Sequence, residues 1–419
     1  MMQQQVPSMR HRFSNDEMLK IFLKYAIMEK NSEQKPYSSK EVIVFRLDLI
    51  GDCIMFSDTL RAICEHYKDG RVTVVCLERT ASVFQRLGIC DILPIKDFSV
   101  IPEAEKLEKM ITDLRKKEYD ILLQPQEARF PVSDVLAAGV KANRKIALEC
   151  MYAGEPRGGN CRKEWIEMAN AIYDEIIPAH HGFESVIDNH AALARGIGIS
   201  DFKTSRPRLP FGEQHFVEGD YYVLTPSASD GQKFWPAERF AQIADHIFEK
   251  TGLQGVILGA PGEEWIAEKL LRHVKAETAE ALTNLTGKTG LFEMFDLIGN
   301  AKLCVSNDTS GAHVACATNT PCVATVGNWF YGEFLPYHLE NVLPGDHLPL
   351  VAHADIPCYH CSLNVDFIFE RNPKCLRRIL FKKMAVCIEE ITFEQVRDLV
   401  DQCLEELGRK NEEGIVSGS

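Results

Sequence analysis

The chain has 419 residues, 45% of them hydrophobic, and a formal net charge of −13. That length suits about two or three domains with sizeable cores. The acidic balance excludes a general nucleic-acid binder, though a local basic pocket for a small anion stays compatible with it.

No apolar run approaches the roughly 20 residues that a bilayer-spanning helix needs, and residues 1–12 are polar, without the apolar centre of an export leader. Residues 1–40 read as an N-terminal helical extension. Asn15, Asp16 and Glu17 start a helix with Leu19, Phe22, Leu23 and Ala26 at its apolar positions. Packing on a domain and peripheral contact with a membrane are both open to such a helix. A polar linker, 31–40, follows.

Residues 41–210 form the first expected domain. Val42–Phe45, Val72–Cys76 and Ile121–Leu123 are short apolar strands, separated by helical stretches over 58–63, 83–87 and 104–117. A helix over 184–195 precedes the charged stretch 203–212, with Pro207 and Pro210, which sets the domain boundary. Strand–helix alternation then restarts in a second domain, 211–408. Its strands lie at 222–224, 255–258, 303–305 and 323–326, and its helices at 236–250, 263–275 and 292–300. Residues 409–419 read as a flexible tail. Apolar strands alternating with helices make an α/β protein with parallel sheets covered on both faces. Two such doubly wound domains place a ligand cleft at the carboxyl ends of their strands. The glycine fingerprint of dinucleotide folds and the Walker motif are both missing from the sequence.

Four strand ends carry chemistry. In "FRLDLIGDC" a strand ends, Gly51 allows a turn, and Asp52 stands at a helix mouth, as a cap or as a carboxylate facing the cleft. In "TPSASDGQKFWPAERF" the small residues Thr225, Ser227 and Ser229 precede Lys233 and a helix opened by Pro236, which together suit an anion. In "LGAPGEEW" Glu263 either favours a helix dipole or accepts from a ligand hydroxyl. In "SNDTSGAH" Asp308 suits a pair of ribose hydroxyls, and Thr309, Ser310 and Gly311 offer hydroxyls and amides to a diphosphate. His313 either orients that loop or is a buried structural histidine.

Taken together, these motifs resemble glycosyltransferase family 9, the ADP-heptose-using heptosyltransferases of lipopolysaccharide synthesis, over roughly residues 42–404. The resemblance implies a GT-B arrangement of two Rossmann-like domains, with the acceptor on the first and the nucleotide sugar on the second. It implies an inverting transfer with Asp52 as general base and Lys233 as the cation that neutralises the donor phosphates. No catalytic metal is needed for such a reaction. The donor residues would be Ser227, Ser229, Lys233, Glu263, Asp308, Thr309, Ser310, Gly311 and His313. Two places depart from the family pattern. Asp48-Leu49 stands where a serine pair is usual, and Gly327-Asn328-Trp329 stands where Gly-Pro-Thr is frequent. Arg129, Arg144 and Lys145 are acceptor-side candidates for an anionic glycan or glycolipid, or else a solvated basic face. The resemblance points to the cytoplasm, with peripheral contact at the inner face of the membrane. A same-fold transferase using another nucleotide sugar or a protein acceptor, and a non-catalytic relative, remain alternatives.

Fourteen cysteines in a chain without a leader read as reduced thiols. One group stands out in the Cys-rich segment 357–388: Cys358 and Cys361 at x2 spacing, then Cys375 and Cys387. Four thiolates suit a structural zinc or iron, and plain buried thiols are the alternative.

Overall fold

The computed structural model describes residues 15–30, 40–96, 104–150, 163–179, 185–228, 231–356, 359, 375 and 384–416. Ser229, Cys358, Cys361 and all but the last residue of the expected linker lie outside them. The chain divides into two compact units at Phe202/Lys203, with Ile54–Asp58 and Gly182–Asp188 grouped with the second.

The first unit starts with α1 (Asn15–Lys30), then β1 (Glu41–Arg46), α2 (Ile50–Met55), α3 (Ser57–His66), β2 (Arg71–Leu77), α4 (Ala81–Leu87) and β3 (Asp91–Ile95). It continues with α5 (Ala104–Leu114), β4 (Tyr119–Gln124), α6 (Pro131–Gly139), β5 (Ala142–Leu148), α7 (Lys163–Ala169), β6 (Glu175–Ile177) and α8 (Val186–Gly196). Its six strands are all parallel, in the order β3-β2-β1-β4-β5-β6. The central strands are buried along almost their whole length, as continuous apolar runs require when helices cover both faces.

The helix expected as an extension belongs to this unit's core. Met18, Ile21, Phe22 and Tyr25 of α1 are buried with Leu107, Ile111, Val135 and Leu136 of α5 and α6. The spacing of these four residues makes one helical stripe, and that stripe decides the packing.

The second unit contains β7 (Tyr221–Thr225), α9 (Ala237–Thr251), β8 (Gln254–Ile257), α10 (Glu264–Leu271), α11 (Ala276–Glu280), β9 (Leu282–Asn284) and α12 (Leu291–Gly299). Next come β10 (Leu303–Asn307), α13 (Ser310–Thr318), β11 (Cys322–Thr325) and β12 (Leu350–Ala352), and two last helices, Val386–Glu389 and Phe393–Val416. Its order is β12-β11-β10-β7-β8-β9, again all parallel. Counted within each unit, both sheets run 3-2-1-4-5-6. That order places the topological switch between β1 and β4 in one sheet and between β7 and β10 in the other.

The observed division falls before the expected boundary at 210, for a physical reason. The stretch from Lys203 to Pro210 is bonded into the second unit: Thr204 N donates to Glu340 (3.1 Å), Arg206 pairs with Asp346 (2.8 Å), and Leu209 N donates to Ala317 O (3.0 Å). The last helix also runs on to Val416, into the stretch expected as a tail.

Candidate functional site

In the first unit, the loops after β1 and β4 build one polar cluster. Arg46 ends β1 fully buried, and its guanidinium organises the rest. Nε lies 3.1 Å from Asp48 Oδ2, Nη1 lies 3.2 Å from Pro125 O and 3.4 Å from Glu127 Oε2, and Nη2 donates to Asp52 O (3.2 Å). Burial works against the guanidinium's charge, but Asp48 and Glu127 hold its proton more tightly than usual. Asp48 also accepts from Gln126 Nε2 (2.8 Å), and His190 of α8 pairs through Nε2 with Glu127 (2.7 Å). Burial pushes His190 below its ordinary value, against the pull of the Glu127 carboxylate. For Glu127, His190 and Arg46 outweigh burial and keep the carboxylate ionised.

Asp52 sits in the first turn of α2, half-buried, and accepts from Leu49 N (3.2 Å). Burial, followed by the Asp48 charge beside it, raises its carboxyl to about 7. A carboxyl in this range can take up a proton near neutral pH, as a general base must.

The three basic candidates have other partners. Arg129 is fully buried, 3.6 Å from Asp134, bonded to Asn170, and 5.0 Å over the Tyr173 ring. Lys145 is buried and donates to the carbonyls of Ala137 (2.8 Å) and Ala138 (3.3 Å), closing the end of α6; burial lowers it to about 8. Arg144 pairs with Glu175 in the amino-terminal half of β5. Arg129 lies in the loop after β4, as Glu127 does, while Arg144 and Lys145 lie within β5.

In the second unit, the loops after β7 and β10 meet. Asn307 joins them: its Oδ1 accepts from Trp235 N (3.1 Å) and Thr325 Oγ1 (2.9 Å), and its Nδ2 donates to Pro226 O (2.7 Å) and Ser227 O (3.5 Å). Every hydrogen-bonding position of this buried amide is thereby used. The result holds Lys233, at the end of a 3-10 turn, with Nζ 3.0 Å from Asp308 Oδ2 and 3.4 Å from Asp308 O. The ammonium also lies 5.3 Å from the Phe330 ring centre and 5.9 Å from that of Phe334, within cation–π range.

Thr309 caps α13 by accepting from Gly311 N (3.4 Å). Gly311 lies so close to β7 that a Cβ would stand 2.4 Å from Thr225 Oγ1. Only glycine lets this helix start seat against the strand. Ser227 is buried and Ser310 half-buried. Glu263 accepts from Ala260 N (2.7 Å) and so closes its own turn before α10. His313 is buried with Nδ1 2.6 Å from Tyr337 Oη; burial lowers it to about 4, and the ring stays neutral.

Sequence reading passed over Arg46, Gln126, Glu127, His190, Phe330 and Phe334. The signal was present for Gln126 and Glu127, since "QPQE" follows the apolar run of β4 just as the recognised loops follow theirs.

Of the cysteines, Cys375 and Cys387 are buried in one core cluster with Trp235 and Trp329. Among the described residues, no group of three or more His, Cys, Asp or Glu is placed to hold a metal.

Two doubly wound parallel sheets, each with polar loops at its switch point, share the GT-B-like fold of solved glycosyltransferase structures. The sequence profile of glycosyltransferase family 9 (heptosyltransferase) matches residues 107–343, more than half of the chain, and the chain belongs to that family and is a glycosyltransferase. It is 25% identical over 321 residues to the lipopolysaccharide core heptosyltransferase OpsX of Haemophilus influenzae, covering 73% of this chain and 84% of that one. It is 32% identical over 306 residues to lipopolysaccharide heptosyltransferase 2 of Salmonella typhimurium, covering 68% and 82%. The structure of the ADP-heptose lps heptosyltransferase II of E. coli shares the fold, with a TM-score of 0.64 at 19% identity over 88% of this chain and 99% of that one.

Proposed function

We propose that the chain moves a heptose from ADP-heptose to a hydroxyl of a lipopolysaccharide-core acceptor, with inversion and without a catalytic metal. The curated relatives it matches are named as lipopolysaccharide heptosyltransferases. The observation that carries the reading is Asp52, a carboxyl raised to about 7 at the carboxyl end of β1. In this reaction Asp52 takes the acceptor's O–H proton as that oxygen bonds to the anomeric carbon. The bond from that carbon to the diphosphate breaks, and its electron pair leaves with ADP.

Lys233 turns from Asp308 toward the departing diphosphate, and the amides at the start of α13 add hydrogen bonds to it. Asp308 then holds the ribose or sugar hydroxyls, and Ser227, Thr309, Ser310 and Glu263 line the same donor site. Ser229 belongs to the proposed set by its place in the motif. His313, neutral and bonded to Tyr337, supports the α13 loop. The exposed Leu23, Ile27 and Met28 of α1 support a peripheral contact with a membrane carrying the acceptor; no described helix is long and apolar enough to cross one. Cys358, Cys361, Cys375 and Cys387 are proposed to hold a structural zinc or iron, and elemental analysis finding neither metal in the purified protein would remove that idea.

The donor reading is tested by thermal-shift titration with ADP, UDP, GDP and CDP. A nucleotide at about 100 times its dissociation constant stabilises by roughly 2.7 kcal/mol. Selective stabilisation by ADP is the expected result, followed by turnover of ADP-heptose. Selectivity for a different nucleotide would overturn the donor.

A further inference from the structure

The proposed base has a second carboxylate for a neighbour. Asp48 lies four residues before Asp52, and Asp52 reaches back to accept from the amide of Leu49, the residue next to Asp48. The environments of the two carboxyls differ. Asp48 is ion-paired with Arg46 (3.1 Å) and accepts an amide donor from Gln126 (2.8 Å). Asp52 accepts one backbone N–H, and its Arg46 contact is to the carbonyl oxygen. When two neighbouring carboxyls compete for one proton, it goes to the one with fewer donors to its charged form.

We propose that Asp48 is a positioning residue for the transfer: held charged by Arg46 and Gln126, it makes Asp52 the carboxyl that takes the acceptor's proton. The inference rests on the reading of Asp52 as base. The other groups acting on Asp52 are Arg46 from β1 and Glu127 after β4, and His190 of α8 in turn acts on Glu127. The Cys53 thiol of α2 is kept protonated by burial. Asp48 is itself raised, by burial and by the Glu127 charge, against the pull of Arg46, Gln126 and His190. Protons therefore enter this site as a coupled pair. The atoms of the step balance within the pair and the substrates. The acceptor O–H bond breaks, the proton passes to Asp52, and the oxygen's electrons form the new glycosidic bond as ADP leaves.

The test is the pH profile of kcat/KM in the full-length enzyme, with Asp48→Asn, Asp48→Glu and Asp52→Asn. Asp48→Asn should move the acid limb down by roughly one pH unit or more, because the like charge that raised Asp52 is gone. It should also lower the plateau kcat several-fold, since Asp52 becomes a weaker base. Asp48→Glu should return the limb toward its native place, an effect that a merely structural role would not produce. Asp52→Asn should lose turnover. If it does so while the Asp48→Asn limb stays put, Asp48 is not a tuning group and the reading of Asp52 stands. If Asp52→Asn keeps full turnover, the reading of Asp52 itself fails. Should Asp48→Asn not fold, Gln126→Leu replaces it: losing that donor lets Asp48 compete for the proton, and a limb that does not move overturns the proposal.

Discussion

The two sheets share one strand order and put their polar loops after the same strands, the first and the fourth of each unit, but what those loops hold differs in sign. In the first unit three carboxylates, Asp48, Asp52 and Glu127, gather around one buried arginine. In the second a lysine pairs with one aspartate beside a helix start rich in amides. One strand order thus carries a carboxylate cluster in one place and a lysine–aspartate pair beside helix amides in the other. The backbone supplies a location and the side chains decide the chemistry.

That contrast can be broken from either side. The largest effect is expected at Asp52. Asp52→Asn should lower kcat by about 10²–10⁴ while ADP still raises the melting temperature as in the parent; loss of both would make Asp52 part of the scaffold. The same variant has a stability signature. Burial lifts the Asp52 carboxyl from 3.8 to about 7, so between those values the folded chain holds a proton that the unfolded chain releases. Stability from this group is full below that window and is lost as pH rises through it. Asp52→Asn should therefore melt above the parent at about pH 8, with the gap closing toward about pH 4.

Next is Lys233→Ala, which should weaken ADP binding by roughly 10- to 100-fold, the worth of a charge-assisted contact, and leave the acid limb of the pH profile in place. A moved limb would tie Lys233 to the carboxylate cluster and blur the contrast. The smallest kinetic effect belongs to Lys145. Lys145→Ala should cost about 1–3 kcal/mol of stability through the two carbonyls it leaves without their donor, with the acceptor KM unchanged. A raised KM would return Lys145 to the acceptor's side.

Seven strands were legible because they lie inside the sheets. β1, β2, β4, β7, β8, β10 and β11 are flanked on both sides, and their apolar runs show it. The four edge strands β3, β6, β9 and β12 escaped notice. Three of them have only three residues each, and β3 carries Pro94. A strand with one neighbour can be short and polar, and nothing in its composition sets it apart from a loop. β5 was hidden by Asn143, Arg144 and Lys145, which break its apolar pattern. The candidate site was legible as loops and not as pairs. Asp52, Lys233 and Asp308 stand out by their place after apolar runs. No spacing in the sequence shows that Arg46 would bind Asp48, Glu127 and the Asp52 carbonyl together, or that Phe330 and Phe334 would stand over Lys233. Charge suggests exposure, whereas Arg129 and Lys145 are among the buried groups of their unit.

The placement of the short edge strands bears on how this chain can be lengthened. The reactive loops leave the middle of each sheet, so material added at the margins need not disturb them. The cysteine-bearing segment enters the chain soon after β12, an outermost strand. Fusion partners, affinity tags or reporter peptides grafted at the ends of β3 or β6 should be accommodated on the same principle, whereas the turn after β9 is bonded to the loop that carries Glu263. The turns at the sheet centres, where Gly311 touches Thr225 and Asn307 has all four hydrogen bonds in use, leave no such slack.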